Sequence, residues 1–231
     1  MKTISMTAWR RPDYERQVVN SIGEALRPDW RWFQKFTDAP AGPQNRGVDA
    51  NTLYALQAAF AAGSDFNLHV EDDTVLSPDA LDLCDWFYEH PERDNYAMLV
   101  LHWMSRSVEK PLDVLEDARF CPWGWAITRG MWERYFLPEW GGKHRVDPKG
   151  WDWSMSLTLQ RHGLKVLRPS LSRTRNIGRE GGTYETPEHW DSWATDLVHS
   201  PGGFGKDFRI TDRIVEMPPV EDWAVEEMGL E

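Results

Sequence analysis

The stretch that decides the fold is Phe66-Asn67-Leu68-His69-Val70-Glu71-Asp72-Asp73, in which a strand-like pattern ends in three consecutive carboxylates. Apolar residues alternate along its first five positions, which predicts a strand with one buried face. Ser77 and Pro78 then predict a turn into a helix, with Ser77 as the N-cap. Three adjacent acids repel one another. The triplet is therefore either a solvated acidic loop or a binding site for a hard divalent cation, which prefers carboxylate oxygens.

Length and composition limit the class of protein. A chain of 231 residues is large enough to bury a core as one domain. Its net charge of −11 argues against a broad nucleic-acid-binding surface, which needs a basic face. Cys84 and Cys121 have no metal-ligand spacing and are expected to be reduced. We find no apolar run of about 18 residues and no signal-peptide pattern, so a cytoplasmic protein is expected.

The segments before the triplet predict alternating strands and helices. Periodicity predicts, in order, a strand from Thr3 to Ala8, a helix from Pro12 to about Leu26, a strand from Trp30 to Phe36 and a helix from Asn51 to Ala62. This alternation is typical of a parallel sheet, in which ligands bind outside the carboxyl ends of the strands. Arg10, Arg11, Asp38 and the acid triplet all follow strand ends. The order of elements therefore favours a cleft over a solvated loop.

The rest of the chain predicts further elements of the same kind. These are a strand from Tyr96 to His102, an irregular loop from Ser105 to Ala118, a strand from Phe120 to Ile127, helices from Arg129 to about Phe136 and from Trp151 to His162, and a strand from Leu164 to Leu167. Gly124 is expected to let a backbone or a ligand approach closely. Asp152 lies in the first turn of its helix, where the dipole favours an acid. Residues 183–231 have weak periodicity and are expected to wrap the core, residues 1–182, or to cover it as a lid.

Four separated motifs together resemble the N-acetylglucosaminyltransferase I family, whose members are inverting glycosyltransferases of the GT-A fold. They are Val70-Glu71-Asp72-Asp73, the aromatic-Gly-Trp strand at Gly124, Trp151-Asp152, and Arg168-Pro169-Ser170-Leu171-Ser172-Arg173-Thr174. They occur in the family's order between Thr3 and Gly182. The resemblance implies an α/β, Rossmann-like GT-A fold, with a mostly parallel central sheet flanked by helices in a single domain.

The resemblance also implies roles for the acidic residues. Asp73 would coordinate Mn²⁺ (or Mg²⁺) bridging the diphosphate of a UDP-sugar, while Asp72 would face the ribose and Glu71 the transferred sugar. Asp152 would be the base that deprotonates the acceptor hydroxyl. Asp38 would contact the uracil.

Arginines would bind the nucleotide in the same scheme. Arg10 or Arg11 would contact it, and the resemblance does not decide between them. Arg175 and Arg179 are candidates for the diphosphate, in a loop that orders over bound donor. Arg173 has two interpretations: a cofactor contact, or a structural residue that pairs with a carboxylate under the site.

These expectations amount to a metal-dependent inverting glycosyltransferase that uses a UDP-sugar, with UDP-N-acetylglucosamine as the family donor. The acceptor would be a glycan or glycoprotein. One alternative is a DNA glycosyltransferase acting on hydroxymethylated bases, which would suit a small microbial or viral enzyme. The segment Arg161 to Arg179 carries six Lys/Arg residues and no acid, but the net charge of −11 weakens this alternative. Another alternative is a non-catalytic sugar- or nucleotide-binding module.

Overall fold

The computed structural model describes residues 1–37, 47–140, 150–180, 186–194 and 196–214. The strands are β1 (Lys2–Ala8), β2 (Trp30–Thr37), β3 (Phe66–Glu71), β4 (Thr74–Leu76), β5 (Tyr96–Val100), β6 (Asp113–Asp117), β7 (Trp125–Thr128), β8 (Lys165–Pro169), β9 (Thr174–Asn176) and β10 (Arg209–Ile214). The helices are α1 (Pro12–Ala25), α2 (Val48–Ala61), α3 (Ala80–Glu89), α4 (Arg129–Met131), α5 (Leu137–Trp140), α6 (Trp151–Arg161) and α7 (Pro187–Ala194), with a π-helical turn joining α4 to α5. None of the helices in these ranges is both long and apolar enough to cross a bilayer.

Eight strands form one central sheet in the order β10-β6-β8-β5-β7-β3-β1-β2. Four neighbouring pairs are parallel: β1 with β2, β1 with β3, β5 with β8, and β6 with β10. The short strand β7 runs antiparallel between β3 and β5. The predicted class, an α/β fold with a mostly parallel central sheet flanked by helices, is confirmed.

The sheet has a hydrophobic cluster on each face. On one face, Phe66, Leu68 and Val70 of β3 pack with residues of α1 and α3. On the other face, Trp125 and Ile127 of β7 pack with residues of α2, α6 and the helix that begins at α4. Strand β7 alternates between the clusters, with Ala126 in the first and Trp125 and Ile127 in the second, as the period of two requires. The sheet is therefore covered on both faces, and its carboxyl edge is left for ligands.

Strand β6 is a correction, because it lies in the segment that we expected to be an irregular loop. Its sequence, Asp-Val-Leu-Glu-Asp, places acids inside a sheet. Asp113 pairs with Arg209 Nε at 2.9 Å, and Asp117 pairs with Arg168 Nε at 2.9 Å. These ion pairs come from distant parts of the chain and compensate acids that would otherwise disfavour a buried strand. β10, from the C-terminal segment, lies beside β6 at the sheet edge.

The second face of β1 and β3 is polar although it is buried. Ser5 Oγ lies 3.0 Å from His69 Nδ1, and Thr7 Oγ1 lies 3.4 Å from His69 Nε2. The His69 ring also contacts the indoles of Trp125 and Trp151. Burial lowers the pKa of His69 to about 3, so the imidazole is neutral in the folded protein.

We expect His69 to make the protein less stable as the pH falls. The unfolded chain binds a proton near pH 6.5 and the folded protein does not, so stability is lost from about pH 6.5 towards pH 3, by about 1.4 kcal/mol per pH unit. Urea unfolding of wild type and His69→Gln between about pH 7 and pH 5 measures this contribution. The variant should show the shallower dependence on pH. Equal slopes would contradict the neutral buried imidazole.

Candidate functional site

The acid triplet lies at the carboxyl edge of the sheet and is held there by Arg11. The Arg11 guanidinium donates one hydrogen bond to Asp73 Oδ2 at 2.8 Å and another to Asp72 Oδ1. The other oxygen of Asp72 accepts the backbone N–H of Trp9 at 2.7 Å. Asp72 and Asp73 are only 2% and 8% exposed. A single cation at the start of α1 therefore contacts two buried carboxylates that follow β3 and compensates part of their charge.

The structure distinguishes the two arginines that follow β1. Arg10 is exposed, its guanidinium lies 4.6 Å from the ring centre of Trp9, and its backbone has φ of 53°. This left-handed conformation is rare for a residue with a branched or long side chain and is found preferentially at functional sites. Arg11, by contrast, is half-buried against the acids. Arg11 is thus the arginine in contact with the triplet.

Glu71 and Asp152 come together because of the alternation along β3. Glu71 lies on the same face of β3 as His69, two residues earlier. The His69 ring lies 6.4 Å from the ring of Trp151, which begins α6. Asp152, the next residue, occupies the first turn of α6. The two acids, about eighty residues apart in the sequence, therefore lie near each other at one edge of the sheet.

The electrostatics confirm that the acids form one cluster. Burial, followed by the charges of Asp73, Asp72 and Asp152, raises the pKa of Glu71 well above its usual value. Cys121 lies nearby: burial raises the pKa of its thiol to about 11, and the charges of Asp152 and Glu71 add to the effect. Strongly perturbed carboxylates at a ligand-binding edge are typical of functional sites.

The segment after β9 covers Asp73. Ile177 N–H donates to the backbone oxygen of Asp73 at 2.8 Å. A Cβ on Gly178 would lie 2.2 Å from Asp73 Oδ2, so the glycine backbone packs directly on the carboxylate. Asn176 Oδ1 accepts the Gly178 N–H at 2.7 Å and holds this turn. The chain therefore requires a residue without a side chain at this position.

We expect Gly178→Ala to disturb the site. The added methyl group must displace the Asp73 carboxylate or the covering turn, which should cost about 1–3 kcal/mol of the free energy of unfolding. Gly23→Ala is the matched control, because a Cβ on this exposed α1 residue meets no atom within 4 Å. That change should be neutral or stabilising, by up to about 1 kcal/mol. Urea unfolding of both variants measures the difference, and equal effects would contradict the close contact.

The same segment reaches helix α7 and the start of α1. Arg179 pairs with Asp191 of α7, with N–O distances of 2.7 and 2.8 Å. Glu180 N–H donates to the Tyr14 hydroxyl at 3.2 Å, and the Arg11 guanidinium lies 5.8 Å from the Tyr14 ring centre. Arg179 thus lies in the segment over the site, with its charge directed to Asp191.

Arg173 is a buried structural residue, which corrects its assignment to the cofactor. It is 0% exposed, with Nε 3.1 Å from Asp79 Oδ2. Its other nitrogens donate to the backbone oxygens of Leu171 and Pro111. Ser200 Oγ also donates to Asp79 at 2.8 Å. The structural interpretation of Arg173, pairing with a carboxylate beneath the site, is the one observed.

This use of Asp79 also shifts the start of the next helix. We expected Ser77 as the N-cap and Pro78 as the first helical residue, but α3 begins at Ala80 with Asp79 at the N-cap position. The Asp79 side chain makes no capping bond, and its Oδ2 faces Arg173 and Ser200. The prediction of the N-cap was therefore wrong by two residues.

Most cations of the basic segment Arg161 to Arg179 are paired with acids. Five of its six cations pair with acids: Arg161 with Glu139, Lys165 with Glu116, Arg168 with Asp117, Arg173 with Asp79 and Arg179 with Asp191. Arg175 is exposed on β9, where it faces Val75 of β4 across the ladder. Asp38, expected at the uracil, lies outside the described residues.

The residues present fit a hard divalent cation held jointly with a phosphate ligand. Asp73, the expected metal ligand, already has the Arg11 guanidinium on one oxygen as a cationic partner. Within the described ranges, no group of three His, Cys, Asp or Glu side chains is arranged to hold a metal by itself. Mg²⁺ and similar ions are commonly bound through one or two carboxylates, with substrate phosphates completing the coordination. The donor chemistry here is of that kind.

In sequence, part of the chain is similar to a glycosyltransferase. Over 119 residues the chain is 27% identical to an Arabidopsis thaliana alpha-1,3-mannosyl-glycoprotein 2-beta-N-acetylglucosaminyltransferase, which is 49% of this chain and 25% of that enzyme. Among solved structures, A197 from STIV matches with a TM-score of 0.43 and 16% identity, over 76% of this chain and 84% of that one. A glycosyltransferase involved in glycosylation of the major capsid of PBCV-1 matches with a TM-score of 0.30 and 9% identity, over 58% and 62%. At TM-scores below 0.5, neither structural likeness bears on function.

No family model matches the chain. The chain spans about a quarter of the length of its plant relative. Similarity in sequence to an N-acetylglucosaminyltransferase is therefore the conclusion that the comparisons support.

Proposed function

We propose that this protein is a metal-dependent inverting glycosyltransferase that transfers a sugar from a UDP-sugar to an acceptor hydroxyl on a glycan or glycoprotein. UDP-N-acetylglucosamine is the reference donor, because the plant relative is an N-acetylglucosaminyltransferase. The observation that carries the proposal is the meeting of two acid sources at one sheet edge: the Glu71–Asp73 triplet and the remote Asp152, whose charge acts on Glu71. One acid group can serve the diphosphate and its cation, and the other can serve the acceptor.

The donor side would be formed by Asp73 and Arg11. A bound Mn²⁺ or Mg²⁺ would supply Lewis-acid stabilisation of the departing diphosphate. Asp73 would hold that ion, and Arg11, released from one carboxylate oxygen, would donate to a phosphate oxygen. In the absence of donor, Arg11 pairs with both buried acids. Its raised pKa, where the charges of Asp73 and Asp72 outweigh the effect of burial, keeps it cationic throughout.

The acceptor side would depend on Asp152. In a one-step inversion a base must take the proton of the attacking hydroxyl on the side opposite the leaving group. Asp152 suits this role because it is half-buried at the start of α6, beside the glycine Gly150. A Cβ on Gly150 would lie 2.9 Å from Asp152 Oδ1, so the glycine leaves room for the carboxylate. Glu71, between the two sides, would contact the transferred sugar.

The alternatives have weaker support. A DNA acceptor would need a basic face, and most cations of the segment Arg161 to Arg179 are paired with acids. A non-catalytic binding module would need the triplet for the nucleotide but would not need Asp152 beside Glu71. Neither alternative accounts for the position of Asp152 close to Glu71.

Thermal unfolding with a panel of nucleotides and nucleotide sugars, with Mn²⁺ or with EDTA, tests the proposal. A ligand that binds only the folded protein raises Tm by mass action. We expect UDP and one UDP-sugar to raise Tm with Mn²⁺ and to lose most of that effect with EDTA. The same donor should release UDP slowly in the presence of the protein. No shift with any nucleotide would contradict the proposed donor site.

A further inference from the structure

A second cleft lies at the same edge of the sheet, away from the acid triplet. Its volume is about 520 Å³, within the roughly 300–1,000 Å³ of typical ligand pockets. It is lined by the loop after β5, the start of β6 and the start of β10, and its lining includes Trp103, Arg106, Glu109, Lys110, Asp113 and Arg209. β5 and β3 are both antiparallel to β7, so the carboxyl end of β5 lies at the same edge of the sheet as the triplet. β6 and β10 run in the opposite direction to β5, so their first residues lie at that edge too.

The cleft is joined to the acid cluster by a short series of hydrogen bonds. Trp103 N–H donates to Ser172 Oγ at 3.2 Å, and the same hydroxyl donates to the backbone oxygen of Thr174 at 2.7 Å. Thr174 begins β9, which pairs with β4, the strand that directly follows the triplet. A Cβ on Gly124 would lie 2.7 Å from Thr174 Cγ2, so the residue before β7 packs directly against the Thr174 side chain. The cleft and the triplet are therefore fixed to one rigid element.

Trp103 supplies a supported aromatic surface. Its indole is half-buried in the lining, and the guanidinium of Arg168 lies 5.2 Å from its ring centre. Arg168 is itself buried and fixed by Asp117 at 2.9 Å and by the backbone oxygen of Arg119 at 2.8 Å. An indole held in this way is a preorganised platform, and the apolar face of a sugar ring packs well on such a surface.

The backbone of the cleft is strained at Lys110. This non-glycine residue has φ of 51°, in the left-handed region. Its carbonyl accepts the Ser170 hydroxyl at 2.6 Å and the Asp113 N–H at 3.0 Å, and these bonds hold the turn. In the described part of the chain, Arg10 is the other non-glycine residue with positive φ, and it lies beside the acid triplet. Strain of this kind concentrates at ligand-binding sites.

The charges in the lining favour a neutral polyhydroxyl ligand over a polyanion. Arg209 pairs with Asp113, and Glu109 lies in the same lining as Arg106 and Lys110, so three cations and two acids leave a net charge of only +1. A nucleic acid would need unopposed cations. Sugar hydroxyls both donate and accept hydrogen bonds, so a mixed lining of cations, carboxylates and serine hydroxyls suits them.

From these observations we infer that the Trp103 cleft binds a pyranose ring of a glycan acceptor. The acceptor role rests on the proposed glycosyltransferase function, whereas sugar binding by the cleft does not. The occupant is a neutral glycan, with the ring stacked on Trp103 and its hydroxyls bonded by Arg106, Glu109 and Lys110.

Saturation-transfer NMR with methyl α-mannoside, methyl β-glucoside and methyl β-galactoside tests the inference. At least one glycoside should receive saturation at its ring protons from wild type. Trp103→Ala should weaken its binding by about tenfold or more, because the aromatic platform is lost. Trp103→Phe should retain most of it, and Tyr54→Ala, which removes a half-exposed aromatic residue on α2, should leave it unchanged.

Each outcome separates this inference from the proposed function. No saturation of any glycoside, or equal saturation in wild type and Trp103→Ala, would overturn it. Binding of a short duplex oligonucleotide that Trp103→Ala abolishes would overturn it in favour of a nucleic-acid ligand. Glycoside binding without any metal-dependent response to UDP would keep the sugar site and refute the glycosyltransferase. A metal-dependent response to UDP without binding of any glycoside would support the donor site and refute the sugar-binding cleft.

Discussion

Asp152→Asn is expected to reduce sugar transfer by about 10²–10⁴-fold, which is the usual contribution of a positioned general base. The amide has nearly the same shape as the carboxylate but cannot accept the acceptor's proton. Donor binding should persist, because Asp152 lies on α6 and the carboxylates expected at the diphosphate lie on the β3 side. UDP release from the donor, measured with and without acceptor, and the thermal shift with UDP and Mn²⁺ separate the two effects.

Asp49→Asn is the matched control, since Asp49 is also an acid in the first turn of a helix. Both changes remove the same favourable interaction with a helix dipole, worth about 0.3–1 kcal/mol. Only Asp152→Asn should lower the rate at saturating donor. The substitution should also lower the pKa of Glu71, since one of the charges that raise it is removed. A variant that transfers sugar at the wild-type rate would remove Asp152 as the base.

Local periodicity predicted the first half of the fold well. The alternation in β3 and the helical spacing in α1 and α2 are signals that a burial pattern imposes on sequence. The sequence of β6 indicated a loop instead, because it contains several acids. In the folded protein, Arg209 and Arg168 from distant segments compensate two of these acids. Such pairs form only once the chain has folded, so residue preferences within a window cannot reveal them.

The site could be predicted in part, for a related reason. Because the carboxyl ends of parallel strands lie at one edge of the sheet, the sequence predicted that Arg10, Arg11 and the triplet are close together. In the structure Arg11 contacts the triplet. The sequence could not choose between Arg10 and Arg11, because that choice depends on the left-handed backbone at Arg10. Nor could sequence identify Arg173 as structural, since its partner Asp79 is 94 positions away and was expected inside a helix. Gly178 was missed too, because its close contact is with Asp73, more than a hundred positions earlier in the chain.

Asp73→Asn is expected to abolish the Mn²⁺-dependent stabilisation by UDP and to lower transfer by about 10²–10³-fold. The reason is that an amide oxygen is a far weaker ligand for a hard cation than a carboxylate. Loss of a metal contact to the leaving diphosphate removes several kcal/mol of transition-state stabilisation, and about 1.4 kcal/mol corresponds to each factor of ten. EDTA should produce the same loss in wild type, and added Mn²⁺ should reverse it there and not in the variant.

The substitution also weakens a buried contact with Arg11, so loss of function must be separated from loss of stability. Asp117→Asn provides the comparison, because Asp117 is a buried acid of β6, outside the triplet, and is paired with Arg168. Both variants should unfold more easily than wild type, since each leaves an arginine with a weaker partner. Asp117→Asn should keep the full Mn²⁺-dependent shift with UDP. If Asp73→Asn keeps that shift as well, the metal is held elsewhere or is not used, and the triplet serves only as the anionic partner of Arg11.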